Sequence, residues 1–347
     1  MIKVAVVLLN WNGVKLFDKF LPSVLRHSLG DDIGVYVADN GSDDSSIEYL
    51  NANYPTVKII ENDKNHGFAE GYNVALRNLD AEYFVLLNTD VEVADGWISP
   101  IISLMDRDTN IAACQPKIMS YHKKNYFEHA GAAGGYIDRI GYPFCRGRVF
   151  DFLEEDLGQH DELSEIFWAS GAAMFVRSSA YWEVGGLDGD FFAHMEEIDL
   201  CWRLKRLGYS IYSVPQSRVY HLGGGTLPYA SSRKLYLNFR NSLFMLYKNA
   251  SKGRLFISIA TKSIIDSLSF PMFLLKADFG GIKALFRAYW HFLLSLGKLR
   301  AKRKAILRQS KVERVSEIYE GFIAIDFFIR RKKIYIQYKG GIRIKVD

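Results

Sequence analysis

Four short apolar runs, each leading into a polar cluster or a helical pattern, constrain this chain more than anything else in it. They are Val4–Leu9, Gly34–Ala38, Val57–Ile60 and Tyr83–Leu87. Runs that are continuous rather than alternating suit strands covered on both faces. Between them, residues 14–29 carry Leu16, Phe20, Leu21, Val24 and Leu25 on one side, residues 43–53 follow an Asp-rich cap, and residues 67–79 form a third helical stretch. Alternating β and α units imply an α/β fold, a mostly parallel sheet flanked by helices. Ligands then sit outside the carboxyl ends of the strands.

The residues just past those ends are Asn10-Trp11-Asn12-Gly13, Asp39-Asn40-Gly41-Ser42-Asp43-Asp44 and Asn88-Thr89-Asp90. Each cluster taken alone is also what a turn with a helix cap demands. Three of them at equivalent strand ends are expected to line one cleft. Asn65-His66-Gly67-Phe68-Ala69-Glu70-Gly71-Tyr72-Asn73 is glycine-spaced and opens a helix, so its backbone N–H groups are candidates to face a diphosphate. It is neither G-x-G-x-x-G nor a Gly-Lys-Ser/Thr phosphate loop, which counts against dinucleotide dehydrogenases and nucleoside-triphosphate hydrolases.

Farther along, Phe167–Val176 reads as a strand and Ala180–Val184 as a short helix ending at Gly185-Gly186. From Glu197 a second helical pattern turns Ile198, Cys201, Trp202 and Leu204 inward and Arg203, Lys205 and Arg206 outward, stopping at Gly208. Glu196, Glu197 and Asp199 crowd its start. One carboxylate there compensates the helix dipole, worth about 0.3–1 kcal/mol. Three exceed that need, and repulsion with partial burial raises at least one pKa, as a general base requires. Asp90 is a candidate ligand for a magnesium or manganese ion held mainly by phosphate oxygens and water. His221, ahead of Gly223-Gly224-Gly225, is a candidate second ligand, although a lone histidine also reads as a satisfied core residue. Trp168 and Phe192 offer flat apolar surfaces, and equally read as core.

Charge divides the chain after Tyr247. Residues 1–247 hold 22 Lys and Arg against 32 Asp and Glu, net −10, and residues 248–347 hold 22 against 7, net +15. Two parts are therefore expected: a catalytic domain over 1–247 and a basic, mainly helical region over 248–347. In the second, Leu285, Phe286, Tyr289, Trp290, Phe292 and Leu293 lie beside Lys283, Arg287, Lys298 and Arg300 as in an interfacial amphipathic segment. Its other reading is a helical subdomain packed on the catalytic part. Lys262, Asp266, Pro271, Lys276 and Asp278 interrupt the apolar stretch from Leu255, against a spanning helix. After Lys311 the pattern turns to short strand-like runs such as Lys333–Tyr338. Three cysteines without a C-x-x-C pair count against a disulfide framework, and the first apolar run leads into Asn-Trp-Asn-Gly with no cleavage site. The expected location is the cytoplasm, against the inner face of the membrane.

The series VVLLNWNG (6–13), ADNGSDD (38–44), NHGFAEGYN (65–73), LLNTDVEV (86–93), WASGA (168–172), EEIDLCWR (196–203) and VYHLGGGT (219–226) resembles glycosyltransferase family 2, inverting enzymes of GT-A (Rossmann-like) fold, and most of all its rhamnosyltransferase-type members. The resemblance implies that Asp39 binds the nucleotide base. It implies that Asn10, Asn12, Asn88 and the segment from Asn65 through Gly67 and Phe68 to Asn73 hold a nucleotide diphosphate sugar. It places a divalent cation, Mg or Mn, on Asp90 and His221, the acceptor near Trp168, Ser170 and Gly171, and the base in the Glu196-Glu197 pair, Glu197 by register. Asn88 stands where the family's metal motif usually begins with Asp, and Glu197 where Asp is more usual. The implied activity moves rhamnose or a similar hexose to a hydroxyl of a glycan or polyprenyl-linked acceptor in cell-surface polysaccharide synthesis. A nucleic-acid-binding protein using the basic tail leaves the acidic cleft unexplained, and a sugar nucleotidyltransferase would want a glycine-rich basic loop after the first strand. No nucleic-acid partner is expected.

Overall fold

The computed structural model describes residues 2–28, 30–223 and 231–344. Strand and helix alternate as the apolar runs require: β1 (Ile2–Asn10), α1 (Val14–His27), β2 (Ile33–Asp39), α2 (Ser46–Asn53), β3 (Lys58–Glu61), α3 (Gly67–Leu76) and β4 (Ala81–Asn88). β3, β2, β1 and β4 lie side by side and parallel. Asn10 pairs with Asp39, and Leu9 with Asn88, so the polar strand ends are level with one another.

The chain continues through β5 (Val91–Val93), α4 (Ser99–Arg107), β6 (Ile111–Ser120), β7 (Gly135–Asp138), β8 (Pro143–Cys145), β9 (Arg148–Val149), β10 (Phe152–Leu153), β11 (Ser164–Glu165), β12 (Ala173–Arg177), α5 (Ser178–Glu183), α6 (Glu196–Arg206) and β13 (Ser210–His221). β12 inserts between β4 and β6, antiparallel to both, and β13 runs parallel to β6. The expected strand over 167–176 thus begins at Ala173. Before it, Trp168 makes an isolated bridge to Gly135. Two apolar cores cover the two faces of the main sheet, one built around Val6, Leu8, Val85 and Trp97, the other around Val7, Phe84, Met174 and Leu200.

The C-terminal region comprises α7 (Ser232–Asn249), α8 (Leu255–Ser267), α9 (Ser269–Leu275), α10 (Phe279–Leu294), α11 (Leu296–Gln309), β14 (Ile318–Tyr319), α12 (Ile323–Phe328), α13 (Ile336–Lys339) and β15 (Ile342–Arg343). Two sequence expectations change here. Lys333–Tyr338 is not a strand: α13 occupies its end, and the strands of the tail are β14 and β15, with β14 extending the β7–β10 sheet. Arg203, Lys205 and Arg206 do not face solvent either. All three are buried because the C-terminal region covers α6. Arg206 donates to the Asn249 carbonyl, and Lys205 lies between Glu165 and Glu317. Helical periodicity marks which side of α6 differs, not what lies on it. α7 runs through residue 247, so the change of charge falls inside a helix.

Candidate active site

At the end of β2, Asp39 is almost fully buried and held from three directions. Its Oδ1 accepts from Asn10 Nδ2 (2.9 Å) and Ser42 Oγ (2.6 Å), and its Oδ2 from the Ser42 N–H (2.9 Å). A carboxylate has about four acceptor positions, so one remains for a ligand donor. Asn12 closes the same loop, donating its N–H to Ser42 Oγ and accepting from the Asp43 N–H. Asn40, which the sequence reading passed over, is the hub behind it. Its Nδ2 donates to Asn65 Oδ1 and the Gly67 carbonyl, and its Oδ1 accepts from Asn62.

These bonds change the expectation for the segment 65–73. The N–H groups at the start of α3 are not free for a diphosphate: Gly67 N–H donates to Asn65 Oδ1, and those of Phe68 and Ala69 donate to the Phe192 carbonyl at 2.6 and 3.2 Å. Asn73 is likewise spent. Its Nδ2 donates to Glu70 and the Leu187 carbonyl, and its Oδ1 accepts from Tyr181 OH and the Leu187 N–H, so it ties α3 to the 187 loop and has no polar atom left for a donor.

At the end of β4 a second cluster forms. His221, the last residue of β13, presents Nε2 to Asp90 Oδ1 (3.1 Å) and Asn88 Nδ2 (3.4 Å), while its Nδ1 meets Glu128 Oε2 (2.9 Å). Burial works against the imidazolium, but the hydrogen bonds and charges of Asp90 and Glu128 outweigh it and raise the His221 pKa to about 10. The site therefore favours positive charge between its carboxylates. Glu128 on the far nitrogen is the carboxylate that commonly orients a metal-binding histidine. Among the described residues no three His, Cys, Asp or Glu side chains are arranged to hold a metal alone. Asp90 and His221 fit a hard cation that takes the rest of its shell from phosphate oxygens and water. Gly224, Gly225 and Thr226 lie outside the described residues.

Glu196 and Glu197 open α6 after a contorted loop in which Phe192, His194 and Met195 all have positive φ, 64°, 70° and 71°. α7 holds that loop: Asn241 Nδ2 lies 2.9, 2.8 and 2.7 Å from the carbonyls of Phe191, Ala193 and His194, and Arg240 donates to those of Asp190 and Phe191. Oε2 of each glutamate is buried with no partner among the described residues. Burial pushes Glu197 up to about 7, opposed by backbone N–H groups at the helix start. Burial and the neighbouring Glu197 charge raise Glu196 further.

The strand-entry segment joins the two clusters. A Cβ at Gly171 would lie 3.8 Å from Glu197 Cβ and 3.2 Å from the Phe68 ring, and the next carbonyl, of Ala172, accepts from the Asn88 N–H at 3.0 Å. Glu197 and the Asn88–Asp90 turn thus flank one short stretch of chain. Burial raises the Cys145 thiol, and the charges of Glu128 and Glu197 both act on it. Trp168 and Ser170 are not offered to an acceptor. The Trp168 indole N–H donates to the Tyr136 carbonyl with its ring against Gly135, and buried Ser170 bonds Gln115 and the Ala172 N–H.

Residues 5–185, from β1 through the acidic turn after β4 to the end of α5, match Glycosyl transferase family 2, and the Glu196-Glu197 pair and His221 follow the matched stretch. The chain belongs to this family. Among curated members, it is 25% identical to the N-acetylglucosaminyl-diphospho-decaprenol L-rhamnosyltransferase of Mycobacterium tuberculosis, over 62% of this chain and 75% of that one. It is also 25% identical to the low-salt glycan biosynthesis hexosyltransferase Agl10 of Haloferax volcanii, over 67% and 73%. Among solved family folds, S. aureus TarS 1-349 aligns over 89% of this chain and 87% of its own, with a TM-score of 0.55 at 12% identity. GalNAc-T7 with UDP, GalNAc and Mn2+ aligns over 72% and 48%, with a TM-score of 0.56 at 16% identity. These likenesses establish the GT-A-type glycosyltransferase fold.

Proposed function

We propose that this family 2 glycosyltransferase moves rhamnose or a similar hexose from a nucleotide diphosphate sugar to a hydroxyl of a glycan or lipid-linked acceptor, with inversion at the anomeric carbon. The observation that carries the reading is the placement of Glu197 across Gly171 and Ala172 from Asn88 and Asp90. Asp39, braced by Asn10 and Ser42, receives an N–H of the base, and Asn12 shapes the same loop. Asp90 and His221 would hold a divalent cation, which when bound neutralises charge on the leaving diphosphate. Glu197 accepts the proton of the acceptor hydroxyl, whose oxygen displaces the nucleotide diphosphate in one step. No protein nucleophile is needed. Burial and the charge of Glu197 favour the neutral form of Glu196 beside it. Gly171, with no side chain, lets the Phe68 ring and Glu197 pack close to the strand-entry segment, where an added Cβ would lie 3.2 and 3.8 Å from them. The rhamnosyl transfer in the Mycobacterium tuberculosis relative's name, onto a lipid diphosphate sugar, supports this donor and acceptor class.

The test is a thermal-shift screen of the full chain against thymidine, uridine and guanosine diphosphates and their sugars, with manganese and with chelator, followed by assay of nucleotide diphosphate release. A true donor at 100 times its dissociation constant stabilises by about 2.7 kcal/mol. Stabilisation by one nucleotide class, and turnover abolished in Glu197→Gln, is the expected result. No shift with any of them, or a Glu197→Gln enzyme of full activity, rejects the reading.

A further inference from the structure

α8 is folded with its polarity reversed. Its buried residues are Ser258, Lys262 and Asp266, spaced four apart on one stripe. Its exposed residues are apolar: Phe256 is 84% exposed, and Ile257 and Ile264 stand in solvent with it. The buried charges are fully engaged with the protein. Lys262 Nζ lies 3.3 Å from Asp266 Oδ1 and 4.0 Å from the centre of the Tyr142 ring, and Asp266 accepts from Tyr289 OH at 2.8 Å and from Tyr142 OH. A helix on a water-facing surface shows the opposite pattern.

The apolar surface does not stop at α8. Leu268, Met272 and Leu275 carry it along α9, and Phe279, Phe286 and Trp290 along α10, all exposed. The Phe270 and Phe286 rings meet edge to face at 6.1 Å and join the two helices. A contiguous apolar face of this extent marks a contact with something other than water.

The charges around it choose the partner. From Lys248 to Lys304 the acidic residues are Asp266, which is buried, and Asp278, whose carboxylate caps α10 at the Gly281 N–H. The exposed charges interleaved with the apolar side chains, Lys276, Lys283 and Arg287, are all positive. A second copy would bring like charges together, whereas an anionic lipid surface complements them. Leu255–Leu275 is long and apolar enough to cross a membrane, with mean hydropathy 1.2. One side of it is nonetheless clamped to Tyr142 and Tyr289 through a central ion pair, so it lies in the lipid interface rather than through it.

We propose that the outward faces of α8, α9 and α10 dock the enzyme on an anionic bilayer. The first turn of α10 packs at Gly280 against Ser232 of α7. On the same turn of α7, Lys234 lies within electrostatic reach of Glu128 behind His221. The docking face therefore approaches the cleft, and a lipid-linked acceptor reaches Glu197 with its chain still in the bilayer. That purpose rests on the glycosyltransferase reading; the docking itself does not.

The test is flotation of the full chain with vesicles of phosphatidylcholine alone and of phosphatidylcholine mixed with phosphatidylglycerol, at low and high salt. The expected result is binding to the mixed vesicles, weakened by salt, with about a tenfold fall in affinity for each of Phe256→Glu and Trp290→Glu. Lys283→Glu, which removes no apolar area, should lower binding to the mixed vesicles and keeps the test open if an apolar variant misfolds. Donor hydrolysis in solution is unchanged in all three variants. Failure of wild type to float, variants that float like wild type, or a dimer in solution that Phe256→Glu dissociates would each overturn the proposal. Vesicle binding lost in the variants from a protein that turns over no sugar nucleotide would instead keep the docking face and reject the transferase reading.

Discussion

Two buried carboxylates side by side hold a proton into the neutral range, and Glu197 works as a base only after losing its own. Because burial lifts its pKa to about 7, transfer activity rises with pH through about 7 rather than through the ordinary carboxylate range near 4.5. The sign for stability is opposite. A folded-state pKa above the unfolded one means that folding takes up protons between those values, so stability falls as pH rises across that window. Glu197→Gln should cost about 10²–10⁴ in kcat while removing this loss, giving a melting temperature at pH 8 equal to or above wild type. A variant that melts lower at pH 8 than wild type contradicts the buried-charge account. At the second cluster, Glu128→Gln leaves Asp90 and His221 in place but weakens the brace on His221 Nδ1. Manganese affinity, read by titration against nucleotide diphosphate, should fall about 10- to 100-fold, and the melting temperature measured without metal should fall as well, because the buried His221 imidazolium loses one of its two carboxylates. Asp90, His221 and the glutamate pair were singled out in the sequence by motifs that resemble the family's, since an Asp at a strand end or a carboxylate at a helix start by itself also serves a turn or a cap. Glu128 was not, since 93 residues separate it from His221 and nothing in its surroundings distinguishes it. Asn73 lies in such a motif too, yet neighbours that no spacing reveals hold its hydrogen bonds, and the ring of Trp168 is packed against Gly135.

Three left-handed residues within four positions are costly, at roughly 1–2 kcal/mol each for side chains other than glycine, and such strain persists only where neighbours impose it. α7 imposes it here through Asn241 and Arg240, and the glutamate pair begins where the strain ends. Asn241→Ala removes the donor to three carbonyls without touching the cleft. The loop then relaxes and Glu197 is displaced, so kcat should drop at least about tenfold, since a misplacement of about 1 Å can cost 10²-fold. Nucleotide affinity, set at Asp39 and the β1 and β2 loops, should stay within a factor of about two, and steady-state kinetics beside nucleotide titration would separate the two. Equal losses in both would place Asn241 in general stability instead. Most of the sheet could be read in advance for a related reason. Continuous apolar runs identify β1, β2 and β4 because those strands are covered on both faces. The direction of β12 could not, since an antiparallel strand slotted between two buried neighbours shows the same apolar run as a parallel one. The start of α3 looked like an anion site because glycine spacing reports freedom of the backbone. The carbonyl of Phe192, far along the chain, uses that freedom to dock on the same N–H groups.

The opposite charges of the two parts of the chain are largely an internal match. Lys248 pairs with Asp188 and Asp199, Lys302 with Asp188 and Asp190, and Glu317 reaches back to Lys205. Burial opposes ionisation of Asp188, but Lys248 and Lys302 hold its pKa well below the ordinary carboxylate value. The basic tail thus neutralises the carboxylates that crowd the approach to α6, and what remains of its positive charge is spread over the α8–α10 face, α11 and the segment after it, where Arg331, Lys333 and Lys339 are exposed. This also explains why the sequence left the tail ambiguous between a packed subdomain and a surface dock. The region packs on the catalytic part, and on α8 the side turned to the protein carries Ser258, Lys262 and Asp266 while the outward side is apolar, a division that composition averages away. A chain cut at residue 247 would remove Lys248, Asn249, Ser310 and Glu317 together, leaving Asp199 with Arg203 alone, Lys205 with Glu165 alone, and the Arg206 guanidinium buried without the Asn249 carbonyl and Ser310. Breaking one buried pair on one side costs about 3–5 kcal/mol, and a domain has only about 5–15 kcal/mol in total. Residues 1–247 alone should therefore be insoluble or melt without a cooperative transition, while the full chain melts in one step. Calorimetry on both chains decides this: a soluble 1–247 fragment that unfolds cooperatively and binds nucleotide diphosphate as the full chain does would mean that the tail serves only the surface.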